Sequence, residues 1–156
     1  MKTLIVFYSR SGNTKKVALK MRDMLKCDIE EIVDTMNRAG VWGVIGAGLD
    51  SILNRQTVLA KMKKDPTTYD LVIIGAPVWA GRISVPARTY ISRNREGILK
   101  TAFFCTCADP ENTKIDCQID ELFVKKPVAV LKLRDDDVRR GEFAEKLKGF
   151  VRRIKG

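Results

Sequence analysis

The sequence predicts an α/β domain in which a five-stranded parallel sheet carries helices on both faces. Strand-like and helix-like segments alternate five times along the chain, as is typical of parallel strands joined by helical crossovers. The strand-like segments are short apolar runs such as TLIVFY and DLVIIG, as expected of strands buried on both faces. The length of 156 residues suits a single domain covering residues 1–156.

The first half of the chain contains three predicted strands and one clear helix. Thr3–Tyr8 is an apolar and β-branched run that predicts the first strand. Asn13–Lys26 has apolar residues at every third or fourth position and predicts a helix. Asp28–Val33 follows as a short second strand, and Asp70–Pro77 is the third.

The second half continues the alternation. Ser84–Arg93 is predicted to be a helix, with a proline tolerated in its first turn. Thr101–Ala108 predicts the fourth strand and Lys114–Phe123 the next helix. Pro127–Leu133 predicts the fifth strand, and Val138–Lys155 a final helix with apolar residues on one side and charges on the other.

The segment between the second and third strands is the least regular. Glycines at positions 40, 43, 46 and 48 make residues 40–48 a weak helix by propensity. One interpretation is a helix packed closely on the sheet, where missing Cβ atoms permit approach. The other is a mobile or partner-contacting segment in which Trp42 is an anchor.

Four cysteines and no histidine argue against a metal site. None of the cysteines forms a CxxC pair. Cys105 and Cys107 could be half of a metal site, but two buried thiols on one face of a strand are the favoured interpretation. No signal peptide pattern opens the chain, and no apolar run approaches 18 residues. We therefore expect a cytoplasmic protein without membrane insertion.

The net charge of +10 restricts the partners of the protein. Residues 125–156 contain 11 basic and 5 acidic residues. A basic excess can attract nucleic acid, an anionic membrane or an acidic protein. No nucleic-acid-binding motif interleaves with these charges, so no nucleic-acid partner is expected. A solvated helix face explains most of the charge, and an acidic protein partner remains an alternative.

The loop Ser9-Arg10-Ser11-Gly12-Asn13-Thr14 joins the first strand to the first helix. A turn from a parallel strand into a helix presents free N–H groups at the positive end of the helix, where anions bind. Hydroxyl and amide side chains add further donors, and Gly12 lets the backbone fold closely around an oxyanion. The loop lacks the lysine of a P-loop. It predicts a small phosphate site, with a helix N-cap as the structural alternative.

Two further loops follow the third and fourth strands at the same predicted edge. The first, GAPVWAGRISVPA, places Trp79 in a turn between Pro77 and Gly81, where a flat aromatic ligand could stack on it. The second is CTCADPENT. Loops at the carboxyl edge of an open parallel sheet converge on the ligand, at the point where strand order reverses.

With these two motifs the sequence resembles the flavodoxin family. Residues 9–14 are similar to the [ST]-x-[ST]-G-x-T phosphate loop of flavodoxins, and Ala76–Arg82 is similar to their flavin-stacking loop. The likeness covers nearly the whole chain, and its short fifth-strand region resembles that of the short-chain flavodoxins. The resemblance implies a flavodoxin-like three-layer sandwich with strand order 2-1-3-4-5 and FMN as cofactor.

The resemblance also implies roles for single residues. Ser9, Arg10, Ser11, Gly12, Asn13 and Thr14 would hold the FMN phosphate. Trp79 would stack on the isoalloxazine, flanked by Pro77 and Val78, and the Ala80–Gly81 peptide would lie near flavin N5. Cys105, Thr106, Cys107 and Asp109 would border the pyrimidine edge. Unlike many flavodoxins, this chain is basic and has no aromatic residue in CTCADPENT, which implies a more open flavin face.

Three functions compete at this point. The first is an electron carrier that shuttles electrons between protein redox partners and needs no catalytic or metal residues. The second is an FMN-dependent NAD(P)H:quinone or protoporphyrinogen-type oxidoreductase on the same fold, which the open third loop favours. The third is a basic interaction domain that has kept the fold and lost the flavin, against which the intact motifs argue.

Overall fold

The computed structural model describes residues 1–35 and 56–156. Their strands are β1 (Thr3–Phe7), β2 (Asp28–Glu31), β3 (Leu71–Trp79), β4 (Arg82–Ile83), β5 (Thr101–Cys107) and β6 (Val130–Arg134). Their helices are α1 (Asn13–Leu25), α2 (Val85–Asn94), α3 (Ile115–Leu122), α4 (Asp135–Arg140) and α5 (Ala144–Lys155), with a 3₁₀ turn at Pro66–Thr68. The glycine-rich segment 40–48 and Trp42 lie outside the described residues.

The sheet confirms the predicted order. Its main path is β2-β1-β3-β5-β6, and each neighbouring pair is parallel. In order of appearance these five strands are 2-1-3-4-5. The chain therefore reverses direction across the sheet between β1 and β3, and the loops that follow these two strands lie side by side at the carboxyl edge.

Apolar side chains pack on both faces of the sheet, which makes three layers. On one face, β-strand residues pack against α2 and α3, whose contributions include Tyr90, Ile91 and Ile119. On the other face they pack against α1 and the C-terminal helices, including Met21 and Phe150. β1, β3 up to Val78, and β5 are buried along their length, because covered parallel strands have no solvent-facing side.

The final helix was predicted wrongly as one continuous element. The structure has two helices, α4 and α5, separated by a turn at Gly141, which has φ of 80°. The N–H of Gly141 bonds to the carbonyl oxygen of Val138, and the N–H of Glu142 bonds to that of Asp137. A glycine in the left-handed region ends a helix in this way. α4 also begins earlier than predicted, at Asp135 directly after β6.

A second difference concerns β3. The strand continues to Trp79 and turns back into the antiparallel strand β4, with Trp79 paired to Arg82 and Val78 to Ile83. Trp79 is therefore the last residue of a strand, and the prediction that it stands in the turn was wrong. Pro77 is paired with Thr106 of β5 but lies two residues beyond Gly75, the last residue of β3 that pairs with β1, where the missing N–H of a proline removes no bond to β1.

Candidate functional site

The loop between β1 and α1 is partly closed by its own hydroxyl. The Ser9 Oγ accepts hydrogen bonds from the N–H groups of Gly12 and Lys15, both at 3.2 Å. The Ser9 hydroxyl thus caps the first turn of α1, which is the role that the N-cap interpretation of this loop predicted. Gly12 has φ of 93°, so only glycine takes this position without strain.

Other donors of this loop remain available. Ser11 is exposed, and within residues 1–35 and 56–156 the N–H groups of Asn13 and Thr14 donate to no acceptor. These two N–H groups begin α1, where unsatisfied donors and the helix dipole favour an anion. The main-chain donors on which the phosphate prediction rests are therefore free for an anion, and the phosphate site itself stays a prediction.

The side chains of Asn13 and Thr14 are committed to the protein interior. Both residues are buried. The Asn13 Nδ2 donates to the Asp135 carboxylate at 2.9 Å, and the hydroxyl groups of Thr14 and Thr106 are 2.9 Å apart. Thr14 and Thr106 tie the start of α1 to β5, while Asp135 places a carboxylate beside the loop. Sequence inspection missed Asp135, whose only signal was its place at the start of an acidic run.

An aromatic pair lies beside the loop. Trp79 is 37% exposed, and the Tyr8 ring meets it edge-on with 6.1 Å between centroids and 81° between planes. The Arg10 guanidinium carbon lies 5.6 Å from the centroid of the Trp79 ring, within the range of a cation–π contact. The loop and the indole are thus in direct contact, as the sequence predicted from their places after neighbouring strands. Tyr8 was missed as a member of the pair.

The β3–β4 hairpin has a two-residue turn with an uncommon backbone. Ala80 has φ of 49° and Gly81 has φ of 74°. Two positive φ values in a two-residue hairpin correspond to a type I′ turn, whose twist matches that of the strands. The left-handed conformation costs an alanine about 1–2 kcal/mol. Backbone strain of this kind concentrates at functional sites.

Gln118 of α3 holds this hairpin from outside. Its Nε2 donates to the Gly81 carbonyl at 2.8 Å, and its Oε1 accepts from the Ile83 N–H at 2.9 Å. Nothing in the sequence indicated this contact, because a polar residue within an amphipathic helix is ordinarily solvated.

The segment CTCADPENT begins with Cys105, Thr106 and Cys107, which are the last residues of β5 and face the core. All three are buried; the first two are paired with both β3 and β6, and Cys107 is paired with β6. The two cysteines share one face of β5, which confirms the interpretation as buried thiols. The hydrogen bond to Cys107 and burial both raise the pKa of Cys105, so this thiol is neutral. The side chains of these three residues are packed in the core, so this stretch offers mainly its backbone at the edge, and its role beside a flavin stays a prediction.

Asp109 organises the loop that follows. Its carboxylate accepts from the Asn112 Nδ2 at 2.6 Å and from the Glu111 N–H at 3.2 Å. These hydrogen bonds, with the Arg134 guanidinium nearby, hold the pKa of Asp109 below its ordinary value. Asp109 is therefore a charged residue that shapes the loop.

A half-open cavity of about 510 Å³ lies between the hairpin and α3. Arg82, Lys114, Cys117 and Gln118 are among the residues that line it. The volume is within the range of small-molecule sites. Among the described residues no cluster of three or more metal-ligating side chains occurs, and none of their helices has the length and apolar character needed to span a bilayer.

Comparisons with known proteins agree with this architecture. No protein-family model matches the chain, and no curated protein matches it. Solved structures do match. A flavoprotein of Lactobacillus acidophilus NCFM, solved in complex with FMN, is 26% identical with a TM-score of 0.68, over 92% of this chain and 98% of that one.

Two further matches show the fold alone. Flavodoxin 1 of Bacillus cereus is 20% identical with a TM-score of 0.50, over 99% of this chain and 98% of that one. An NADH:FMN oxidoreductase is 13% identical with a TM-score of 0.57, over 99% and 90%. With its strand order and its two loop motifs at one edge of the sheet, this chain has a flavodoxin-like fold.

Proposed function

We propose that this protein binds FMN at the carboxyl edge of the sheet and transfers electrons between redox partners. The observation that carries the proposal is the contact between the anion-binding loop and the aromatic pair. The loop follows β1 and Trp79 ends β3, and these two strands are neighbours in the sheet. A phosphate site and a flat apolar surface side by side suit a nucleotide with an aromatic ring system.

The residues present fit FMN. The N–H groups of Asn13 and Thr14, the Ser11 hydroxyl and the Arg10 guanidinium would bind the phosphate. The exposed part of the indole of Trp79 would support the ring. Arg10 now rests on the indole, and we expect it to turn toward the phosphate when FMN binds. Bound FMN supplies reversible one- and two-electron chemistry; the protein supplies binding, orientation and electrostatics.

An FMN titration tests this proposal directly. Ligand-free protein should take up one FMN with quenching of flavin fluorescence. Trp79→Leu should weaken that binding about tenfold or more, since stacking on an aromatic ring contributes roughly 1–3 kcal/mol. Val124→Ala, at an exposed position on another part of the surface, is the control. If the wild-type protein does not bind FMN, the proposal is wrong, and the third function considered above, a flavin-free interaction domain, is favoured instead.

The cavity beside the hairpin favours an FMN-dependent oxidoreductase as a second candidate. Arg82 and Lys114 line it, and neither side chain has an ion-pair partner among the described residues. It could admit a small acceptor such as a quinone, or a protoporphyrinogen-type substrate whose carboxylates the two cations would bind. Steady NAD(P)H oxidation that requires added quinone, or oxidation of a porphyrinogen coupled to reduction of added quinone, would support the enzyme. Reduction that stops after one equivalent of bound FMN would support the carrier.

We further propose that the protein partners of a carrier are acidic. The net charge is +10, and Arg10, Arg82 and Lys114 are exposed around the proposed FMN edge. Opposite charge increases the rate of encounter between proteins.

A further inference from the structure

We infer that Gln118 is a positioning residue that immobilises one peptide of the β3–β4 hairpin and leaves the neighbouring peptide able to move. The role that we assign to it toward FMN rests on the proposed function. The hydrogen bonds that define it belong to the protein without ligand.

The Gln118 amide is fully engaged and has one orientation. Its nitrogen donates to the carbonyl oxygens of Gly81 at 2.8 Å and of Lys114 at 3.2 Å, and its oxygen accepts from the Ile83 N–H at 2.9 Å. If the amide were rotated by 180°, its oxygen would face the carbonyl oxygens of Gly81 and Lys114 and no hydrogen bond could form with either. The residue therefore connects α3 to the backbone on both sides of Arg82 with a defined donor and acceptor.

The hairpin needs an external support of this kind. β4 has two residues, and only two residue pairs join it to β3. A hairpin of this length is at best marginally stable by itself. Its turn also contains Ala80 in the left-handed region, which an alanine avoids.

The support acts on a particular peptide. The Gly81 carbonyl is bound to Gln118, so the Gly81–Arg82 peptide cannot rotate without losing that bond. The Ala80 carbonyl, in contrast, accepts no hydrogen bond within the described part of the chain. Rotation of the Ala80–Gly81 peptide changes ψ of Ala80 and φ of Gly81, and the glycine accommodates either sign of φ without a steric penalty. Because Gln118 holds the Gly81–Arg82 peptide, the Ala80–Gly81 peptide beside Trp79 is the one that we expect to rotate when a flavin ring binds.

Amide hydrogen exchange of the ligand-free protein, followed by NMR, tests the structural part. Gln118→Met keeps the length of the side chain and removes both of its hydrogen bonds to the hairpin. We expect the Ile83 N–H to exchange about tenfold faster, as the loss of one hydrogen bond implies. Asp120→Met on the same helix, where the side chain pairs with Lys126 and not with the hairpin, should leave the rate unchanged. Equal Ile83 exchange in wild type and Gln118→Met would overturn the inference.

Gln118→Glu tests the donor and acceptor functions of the Gln118 amide separately. At neutral pH its carboxylate can still accept from the Ile83 N–H but faces the Gly81 carbonyl without a proton. On acidification the protonated carboxyl can donate to that carbonyl. In the FMN-loaded protein we expect the midpoint potential of Gln118→Glu to differ from wild type at neutral pH and to approach it in acid, while Gln118→Met stays shifted at both.

The two parts fail in different ways. If wild-type protein does not bind FMN, the proposed function fails, and the exchange of Ile83 still decides whether Gln118 holds the hairpin. If exchange changes as expected and the midpoint potentials of all variants equal that of wild type, the positioning role toward FMN is overturned.

Discussion

At the scale of single residues, the anion-binding loop has groups that attract an anion and, beside them, a carboxylate that repels it. The N–H groups at the start of α1 and the Arg10 guanidinium favour an anion. Asp135 accepts a hydrogen bond from Asn13 at 2.9 Å and brings a negative charge to the same place. The carboxylate orients the Asn13 amide and weakens the attraction for a phosphate. We therefore expect Asp135 to limit the affinity of the loop for a phosphate group.

Asp135→Asn should tighten FMN binding about fivefold. The asparagine oxygen still accepts from Asn13, so only the charge is removed, and a charge pair a few angstroms apart in water is worth about 1 kcal/mol. Fluorescence titrations with FMN and with riboflavin, which lacks the phosphate, measure the effect. Riboflavin affinity should not change. Asp136→Asn, whose side chain is exposed and paired with Arg139, is the control. An equal change for both ligands would contradict this account.

At the scale of elements, the packing between β3 and β5 depends on one glycine, Gly75, which leaves room for a side chain of β5. Gly75 is opposite Phe104 in the register of the two strands. A Cβ built on Gly75 would lie 2.2 Å from the Cζ of the Phe104 ring. The phenyl ring thus occupies the space that a side chain at position 75 would need. This contact lies directly before the segment Ala76–Trp79, which leads to the proposed site.

Gly75→Ala should lower the free energy of unfolding by about 1–3 kcal/mol, because a packed core resists an added methyl group. Urea unfolding of the ligand-free protein measures the change. In a Phe104→Leu background the cost should be much smaller, since leucine has no atom at the Cζ position. Gly149→Ala in α5, where an added Cβ meets nothing within 4 Å, should be neutral or stabilising. The same cost for Gly75→Ala in both backgrounds would show that Phe104 is not the obstacle.

The edge strand β2 is tied to the sheet by a buried phenol. The Tyr69 hydroxyl donates to the Asp28 carboxylate at 2.8 Å, and Tyr69 is 5% exposed. Burial, together with the Asp28 carboxylate, raises the pKa of Tyr69 to about 12. The hydrogen bond from Tyr69 in turn lowers the pKa of Asp28. The folded state therefore holds the phenol proton more tightly than the unfolded chain does.

This linkage predicts a loss of stability at alkaline pH. The contribution of Tyr69 is fully present below pH 10, the ordinary pKa of tyrosine, and is lost as the pH rises toward 12. Tyr69→Phe should cost about 1 kcal/mol at pH 8 and should then decline less steeply than wild type above pH 10. Urea midpoints measured from pH 8 to 11.5 give both curves. Parallel curves would mean that Tyr69 titrates alike in the folded and unfolded states.

At the scale of the whole molecule, the main electrostatic property of this chain is its large positive net charge. A net charge of +10 produces a positive field that attracts anions and is screened by salt. If the protein transfers electrons as proposed, this field should govern its encounters with small redox reagents as well as with proteins.

Reduced, FMN-loaded protein should react with ferricyanide more slowly as ionic strength rises. Its reaction with the cationic oxidant cobalt(III) hexaammine should instead become faster, since salt screens attraction in the first case and repulsion in the second. Stopped-flow rates at several NaCl concentrations measure both. A protein whose reaction edge is locally neutral would show no opposite trends, and the proposal of acidic partners would then lose its support.

The sequence by itself determined the layered fold, the strand order through the resemblance, and the two loops of the candidate site. These features depend on short-range properties: apolar runs for strands, helical spacing for helices, and glycines where a turn needs positive φ. The break at Gly141 was readable in the same way, but the surrounding charge pattern concealed it.

Only the tertiary structure decided how the site is completed. Asn13 and Asp135 are 122 residues apart, and Gln118 is 37 residues from Gly81. Such contacts depend on strand register and on the packing of a helix against a hairpin, and neither leaves a local pattern in the sequence. The space at Gly75 and the edge-on pairing of Tyr8 with Trp79 have the same origin. Long-range geometry thus determines which donors stay free for a ligand and which are used by the fold.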